Sequence, residues 1–291
     1  MIPNYFKDTA ALPSVLFLFL IYPIALVIIV NVIRLVKGKN LKVTNFPFSL
    51  TSYYLFNLTF LIPFILLFFF YQDITILFLL FAGFMGIIGE IIFSYFWDSL
   101  FAKKFWEYKT HTILNGYSSW LNIIPWGFGG ILFVWIYIFT EFSFDNPLLA
   151  NGIQIPALLM FWLICGLLWA LLFLSRLFAK NRNSHSLEFK SLNLISYGMF
   201  ALPTLIPIIF LTLFYSLNYL ILSLLFGIIG FVCEYIYGKL CLLFTSNKLW
   251  TYTYHTFDHN HATFLAIIPF TLAGWYFYTL YEIFLWYLSW L

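Results

Sequence analysis

Charge is what this 291-residue sequence has least of: 9% of its residues are charged, against about 25% in soluble domains. With 63% hydrophobic and 24% aromatic content, it has too little polar surface to close over a water-soluble core. The same numbers exclude intrinsic disorder. Cysteine is scarce too: Cys165, Cys233 and Cys241 all fall in apolar runs, without a pairing pattern or metal-type spacing, and read as free small hydrophobes. The alternating segments of about ten residues that a β-barrel needs are missing. A net charge of +3, small and scattered, excludes a nucleic-acid footprint. There is no Walker motif, G-x-S-x-G elbow, H-E-x-x-H helix or heme signature, so no cofactor is expected.

What the sequence has is apolar length. Runs able to cross about 30 Å of hydrocarbon lie near Leu12 to Ile33, Leu50 to Phe70, Ile74 to Phe96 and Trp120 to Phe139. Four more lie near Ile155 to Phe178, Leu194 to Tyr215, Tyr219 to Leu243 and Phe264 to Leu285. Breaks such as Tyr71-Gln72-Asp73 and Ser216-Leu217-Asn218 leave room only for tight turns between antiparallel helices. The expected fold is all-α, a polytopic membrane protein of about eight transmembrane helices.

Positive residues near helix ends stay on the cytoplasmic side. Of the 14 Lys and Arg residues, all but Lys7 fall in or beside the first, third, fifth and seventh connections. The other side carries Asp73, Glu141, Asp145 and Glu282. The expected location is the cell membrane, with multiple spans and both termini on the non-cytoplasmic side. The first apolar run is too long for a cleaved signal, lacks a basic start and is followed by Arg34 and Lys37, so it reads as a retained anchor.

Between Ser52 and Gly130 the sequence matches a later stretch at a constant offset of 144 residues without a gap. Tyr53 pairs with Tyr197, Gly83, Gly86 and Glu90 with Gly227, Gly230 and Glu234, and Ile123-Ile124-Pro125 with Ile267-Ile268-Pro269. Lys104, Trp106, Tyr108 and His111 pair with Lys248, Trp250, Tyr252 and His255. Apolar matches are cheap in so biased a composition, but Glu, His, Lys, Trp and Pro are scarce. The reading is two four-helix repeats, residues 1–149 and 150–291, in parallel orientation because each holds an even number of helices.

Glu90 shares a helix face with Gly83 and Gly86, and Glu234 with Gly227 and Gly230. Glycine permits close helix approach, while a carboxyl group at membrane depth is costly unless protonated, paired or wetted. Each glutamate either fixes packing within its own bundle or meets the other near a pseudo-twofold axis to bind a proton, cation or polar substrate. The segments with Lys104, Trp106, Tyr108 and His111, and with Lys248, Trp250, Tyr252 and His255, mix residues suited to headgroup depth. They read as aromatic anchors or as a pocket for an anionic or amphipathic headgroup. His255, Asp258, His259 and His261 crowd into seven residues, but only His255 has a counterpart of the same type in the first copy. No Cys or fixed spacing supports a zinc site there, and no metal is expected.

From Gly86 to Gly127 the chain resembles the bacterial ABC-transporter type IV (CmpB-like) membrane family. The resemblance is carried by Glu90, Trp106-Glu107-Tyr108, Asn115-Gly116 and Trp126-Gly127, and more weakly by the second copy, where Thr251 replaces the acidic residue and Phe270-Thr271 replaces Trp-Gly. It implies a permease-like membrane protein handling a small ion or amphipathic substrate among membrane lipids. Any nucleotide-driven cycle would need an ATPase subunit on another chain. A looser likeness, through Trp97-Asp98 and Trp106, is to the lycopene-cyclase domain family, which would imply an intramembrane enzyme acting on a lipid or isoprenoid. That family's paired acidic residues after a proline are absent, since Pro125 is followed by Trp126 and Gly127. A noncatalytic membrane scaffold is the third class.

Overall fold

Apolar length becomes helix because a backbone in lipid must satisfy its own N–H and C=O groups. The computed structural model describes residues 32, 48–71, 75–101, 103–143, 155–181, 194–245, 247–288 and 290. Its helices are α1 (Leu50–Tyr71), α2 (Thr75–Phe101), α3 (Ile123–Ser143), α4 (Ile155–Asn181), α5 (Leu194–Phe214), α6 (Asn218–Thr245) and α7 (Ile267–Leu288). Among the described residues, six spans are long and apolar enough to cross a membrane, and α1 carries the shorter apolar stretch Leu50–Ile62. The expected span Leu12 to Ile33 lies outside the described residues, apart from Val32, and so do Gln72 and Asp73.

The helices are apolar on the outside and carry their small and polar residues within. On α2 the outward stripe is Leu77, Leu80, Phe84, Ile88 and Ile92, while Ala82, Gly83, Gly86, Glu90 and Ser94 are buried. That distribution suits a lipid surround and no aqueous one. The protein is a membrane-embedded, multi-pass helical protein.

α2 packs against α3, α6 against α7, and α4 against α5, with α3 and α7 meeting at the centre. The glycines act mainly inside these pairs. A Cβ at Gly83 would collide with the Ile123 carbonyl of α3, and one at Gly227 with Thr271 of α7. Gly83 and Gly227 thus close the α2–α3 and α6–α7 hairpins, while Gly86 and Gly230 also reach the other half, at Phe277 and Phe133.

The connections at one end depart from plain helix-to-helix turns. Between α2 and α3 run β1 (Trp106–Tyr108), β2 (Thr112–Ile113) and β3 (Ser118–Ser119), followed by a 3-10 turn at Trp120–Asn122. Between α6 and α7 run β4 (Trp250–Tyr252), β5 (Thr256–Phe257) and β6 (Ala262–Thr263), followed by a 3-10 turn at Phe264–Ala266. β2 pairs with β3 and β5 with β6, each as a small antiparallel ribbon. β1 pairs with β4, joining Trp106 to Tyr252, Glu107 to Thr251 and Tyr108 to Trp250. Both connections therefore lie at the same end of the molecule. Within these connections Trp106, Tyr108, Trp250 and Tyr252 are all buried.

Candidate functional site: two glutamate–tyrosine pairs astride the β1–β4 ribbon

Glu90 sits on the buried face of α2, and its carboxylate is fully engaged. The Tyr108 hydroxyl of β1 donates to Oε1, while the Ser118 hydroxyl of β3 donates to Oε2. The Asn122 amide, at the entry to α3, also donates to Oε2, at 2.9 Å. The backbone delivers these donors because Ser119 anchors the turn: its hydroxyl accepts from the Leu121 N–H and donates to the Thr110 carbonyl at 2.7 Å. Three donors on one buried carboxylate replace the water it loses.

Glu234 occupies the corresponding place on α6 and is treated differently. The Tyr252 hydroxyl donates to its Oε1 at 2.6 Å. Its Oε2 is buried, and among the described residues nothing donates to it. The cause lies in the ribbon. Ile113 pairs with Ser118 in the first connection and Phe257 with Ala262 in the second, so Ala262 stands where Ser118 stands and Ala266 where Asn122 stands. Both alanines are buried and offer no side-chain donor.

The β1–β4 pairing sets these two centres side by side. The Trp106 and Tyr252 rings have centroids 6.3 Å apart, and Tyr108 and Trp250 lie at 6.4 Å. The Tyr108 hydroxyl is pushed well above its ordinary value, first by burial, then by the charge of Glu90 and its hydrogen bond to it, and further by Tyr252 and Glu234. Tyr252 is raised in the same way, by burial, by Glu234 and by Glu90. Both phenols thus stay protonated donors. Glu90 and Glu234 do not hydrogen-bond to each other, yet they share the same tyrosine pair and act on one another electrostatically.

The remaining candidates divide. Lys104 and Lys248 lie in the connections, where their ammonium groups donate to the carbonyls of Asn115 and His259, and Lys104 is also 3.6 Å from Glu107. Each lysine clamps a turn. His111 and His255 are exposed at positions of positive φ, 46° and 42°, and stand away from the glutamates at the start of the turns. Trp106 donates its indole N–H to the Tyr117 carbonyl at 3.2 Å. The indole N–H of Trp250 is buried without an acceptor among the described residues.

The His255 to His261 tract is split by its own backbone. Asp258 pairs with Lys239 and accepts from Tyr235 at 2.9 Å, so its carboxyl is held down at about 2, chiefly by Lys239. His259 is exposed, whereas His261 turns inward, 3% exposed, between Trp250 and Tyr235 and against Gly238. Burial, with the charges of Lys248 and Lys239, holds its imidazole down at about 4. Neither ring nitrogen makes a well-formed hydrogen bond among the described residues, although the Tyr235 backbone acts on the ring. No three His, Cys, Asp or Glu side chains converge on a metal position among the described residues.

Sequence reasoning missed Ser118, Asn122 and His261 as members of these centres. The signal available was the substitution of Ser118, Asn122 and Tyr117 by Ala262, Ala266 and His261 at the constant offset. Compared with family models, curated proteins and solved structures, the chain finds no match in any of the three.

Proposed function

We propose that this is a permease-like membrane protein that handles a small ion or amphipathic substrate between two related halves. The observation that carries the reading is the pair of glutamate–tyrosine centres astride the β1–β4 ribbon: two carboxylates at membrane depth around one pair of buried phenols. Structural carboxylates could sit anywhere in a bundle. These two flank the seam, where a relative movement of the halves would change their surroundings together.

The halves are read as a duplication. Tyr53 and Tyr197 donate to the carbonyls of Leu121 and Leu265, Lys104 and Lys248 clamp matching turns, and the positive-φ residues His111, Leu114 and Asn115 recur as His255, Asp258 and His259. Eight spans in two parallel four-helix units, both termini outside, and kinship with the ABC-transporter type IV (CmpB-like) family complete the proposal. Membrane lipids surround it. A nucleotide-driven cycle would draw its ATPase from another chain. The enzyme reading has less behind it. The groove between α4 and α5 that could take an acyl or isoprenoid chain is lined by Leu168, Leu171, Leu172, Met199, Leu202, Pro203 and Ile206, with Ser175 its one polar residue.

The test is reconstitution into liposomes holding a pH-sensitive dye, with imposed gradients of protons and of monovalent cations. The wild type is expected to dissipate at least one gradient, and Glu234→Gln to abolish that flux while remaining folded. A wild type as tight as empty liposomes to every gradient would sink the ion branch. Equal flux in wild type, Glu90→Gln and Glu234→Gln would remove the glutamates from the pathway.

A further inference from the structure

The two centres are alike in position and unlike in chemistry, and the difference has a direction. Glu90 accepts from Tyr108, Ser118 and Asn122, which engages both of its carboxyl oxygens. Around Glu234, Ala262 and Ala266 remove two of those donors, and Oε2 is left buried with none from the described residues. One turn along α6, among the described residues, Trp250 keeps a buried N–H without an acceptor and His261 two ring nitrogens without a hydrogen-bond partner. The three belong to one face. Gly238 lies one turn beyond Glu234 on α6, and a Cβ there would run into the His261 ring and would come 3.0 Å from Trp250. In the first half Ser94 takes the place of Gly238 and donates to the Tyr117 carbonyl at 3.4 Å, which that residue shares with the Trp106 indole.

Unmatched groups of both kinds, acceptor on Glu234, donor on Trp250 and one of each on neutral His261, suit a ligand that both donates and accepts. Water is the smallest such ligand, and buried polar sites with several partners hold it. From this juxtaposition we infer that Glu234 is the proton-exchanging carboxyl of the molecule, loaded from the lysine-bearing end through water and His261, while Glu90 is its static counterpart. This rests on the permease-like reading and names the proton as its ion.

The step balances simply. A proton from bulk water enters at the exposed loop around Asp258 and His259 and reaches one nitrogen of His261, while the imidazole releases the proton on its other nitrogen. That proton travels through water to Oε2, converting the carboxylate to the acid; Tyr252 goes on donating to Oε1. The groups that face Glu234 are Tyr252 from β4, Glu90 from α2 and Tyr108 from β1. Those that face His261 are Lys239 and Tyr235 from α6, and Lys248 and Asp258 from the connection. His261 stays neutral near neutrality, as a two-sided relay requires.

The experiment is infrared difference spectroscopy on the full chain in lipid nanodiscs as bulk pH is stepped across the neutral range. A carboxyl band should appear in wild type, vanish in Glu234→Gln and persist in Glu90→Gln. Should Glu90→Gln fail to fold, Ser118→Ala serves in its place and should keep the band. The double variant Ala262→Ser with Ala266→Asn supplies Glu234 with the donors Glu90 has; it should suppress the band while raising the thermal midpoint. His261→Phe should keep the band but slow its appearance by about a hundredfold, the scale of one positioned proton-transfer group. A band that survives Glu234→Gln, a band lost on Glu90→Gln with the fold intact, or an unaltered spectrum in the double variant would overturn the assignment. An unchanged rate in His261→Phe would overturn the route. If the band behaves as expected but liposomes show no flux of any ion, the permease-like reading fails and the proton site stands.

Discussion

At the scale of single residues, the molecule turns on how many donors a buried carboxylate receives. Removing one donor from Glu90 leaves part of a buried polar group unsatisfied, a loss of about 1 to 3 kcal/mol. Asn122→Ala is therefore expected to lower the unfolding midpoint in detergent by several degrees, and an unchanged midpoint would show that Glu90 is satisfied some other way. His261 gives a second test at this scale. Its folded imidazole is held at about 4, below the roughly 6.5 of an unfolded chain. Between those values the unfolded chain binds a proton that the folded one refuses, so stability rises with pH across that window and falls on acidification through it. Asp258, depressed to about 2, adds stability that is present above the ordinary Asp value and lost as pH falls through 2, below the His261 window. Glu234, which takes up a proton on acidification, acts with the opposite sign, so the His261 part is read as the difference between wild type and His261→Phe: wild type should lose more midpoint, or gain less, than the variant as pH is lowered from about 6.5 to 4. A pH dependence equal in the two would assign it to another group.

At the scale of elements, helix positions were legible because hydrocarbon leaves the backbone few choices, and runs such as Ile155 to Phe178 announce themselves by length. The faces were partly legible: Glu90 and Glu234 were readable as inward-facing from their cost in lipid, and the glycines as sites of close approach. What the glycines approach was not. Gly83 meets Ile123 forty residues on, a pairing that depends on where the connecting ribbon turns. Nor was the ribbon itself legible, since Trp106-Glu107-Tyr108 reads equally well as a helix-ending aromatic anchor. It became a strand through pairing with Trp250-Thr251-Tyr252, far away in sequence. Ser118 and Asn122 carry no pattern that marks polar loop residues as donors to a helix. The close approach has a measurable consequence. Gly83→Ala must move α2 away from the Ile123 carbonyl and should destabilise by about 1 to 3 kcal/mol or more. Gly166→Ala on α4, where a Cβ meets nothing within 4 Å, should be neutral or slightly stabilising. Equal midpoints for the two variants would mean that the α2–α3 hairpin is looser than its packing implies.

At the scale of the whole molecule, the β1–β4 ribbon ties the two connections to one end, and that end gathers Lys103, Lys104, Lys109, Lys239 and Lys248. Positive charge beside spans stays in the cytoplasm, so the ribbon end is expected to face it. The opposite end, with Glu282 and Trp290 near the close of α7, is expected outside. Two predictions meet here. Cysteines placed at Glu107 and Thr251, which face each other across the ribbon, should form a disulfide on mild oxidation, seen as a reducible shift in gel mobility. Failure to cross-link in the membrane would separate the halves. Sidedness is read independently, with an impermeant maleimide on single cysteines at Asn115, His259 and Trp290, all exposed. Asn115→Cys and His259→Cys should label only when the cytoplasmic face is open to the reagent, and Trp290→Cys only from the other face. Labelling of Asn115 and His259 from opposite faces contradicts the ribbon itself. Labelling of both from the exterior keeps the ribbon but reverses the molecule, and with it the side from which a proton reaches Glu234.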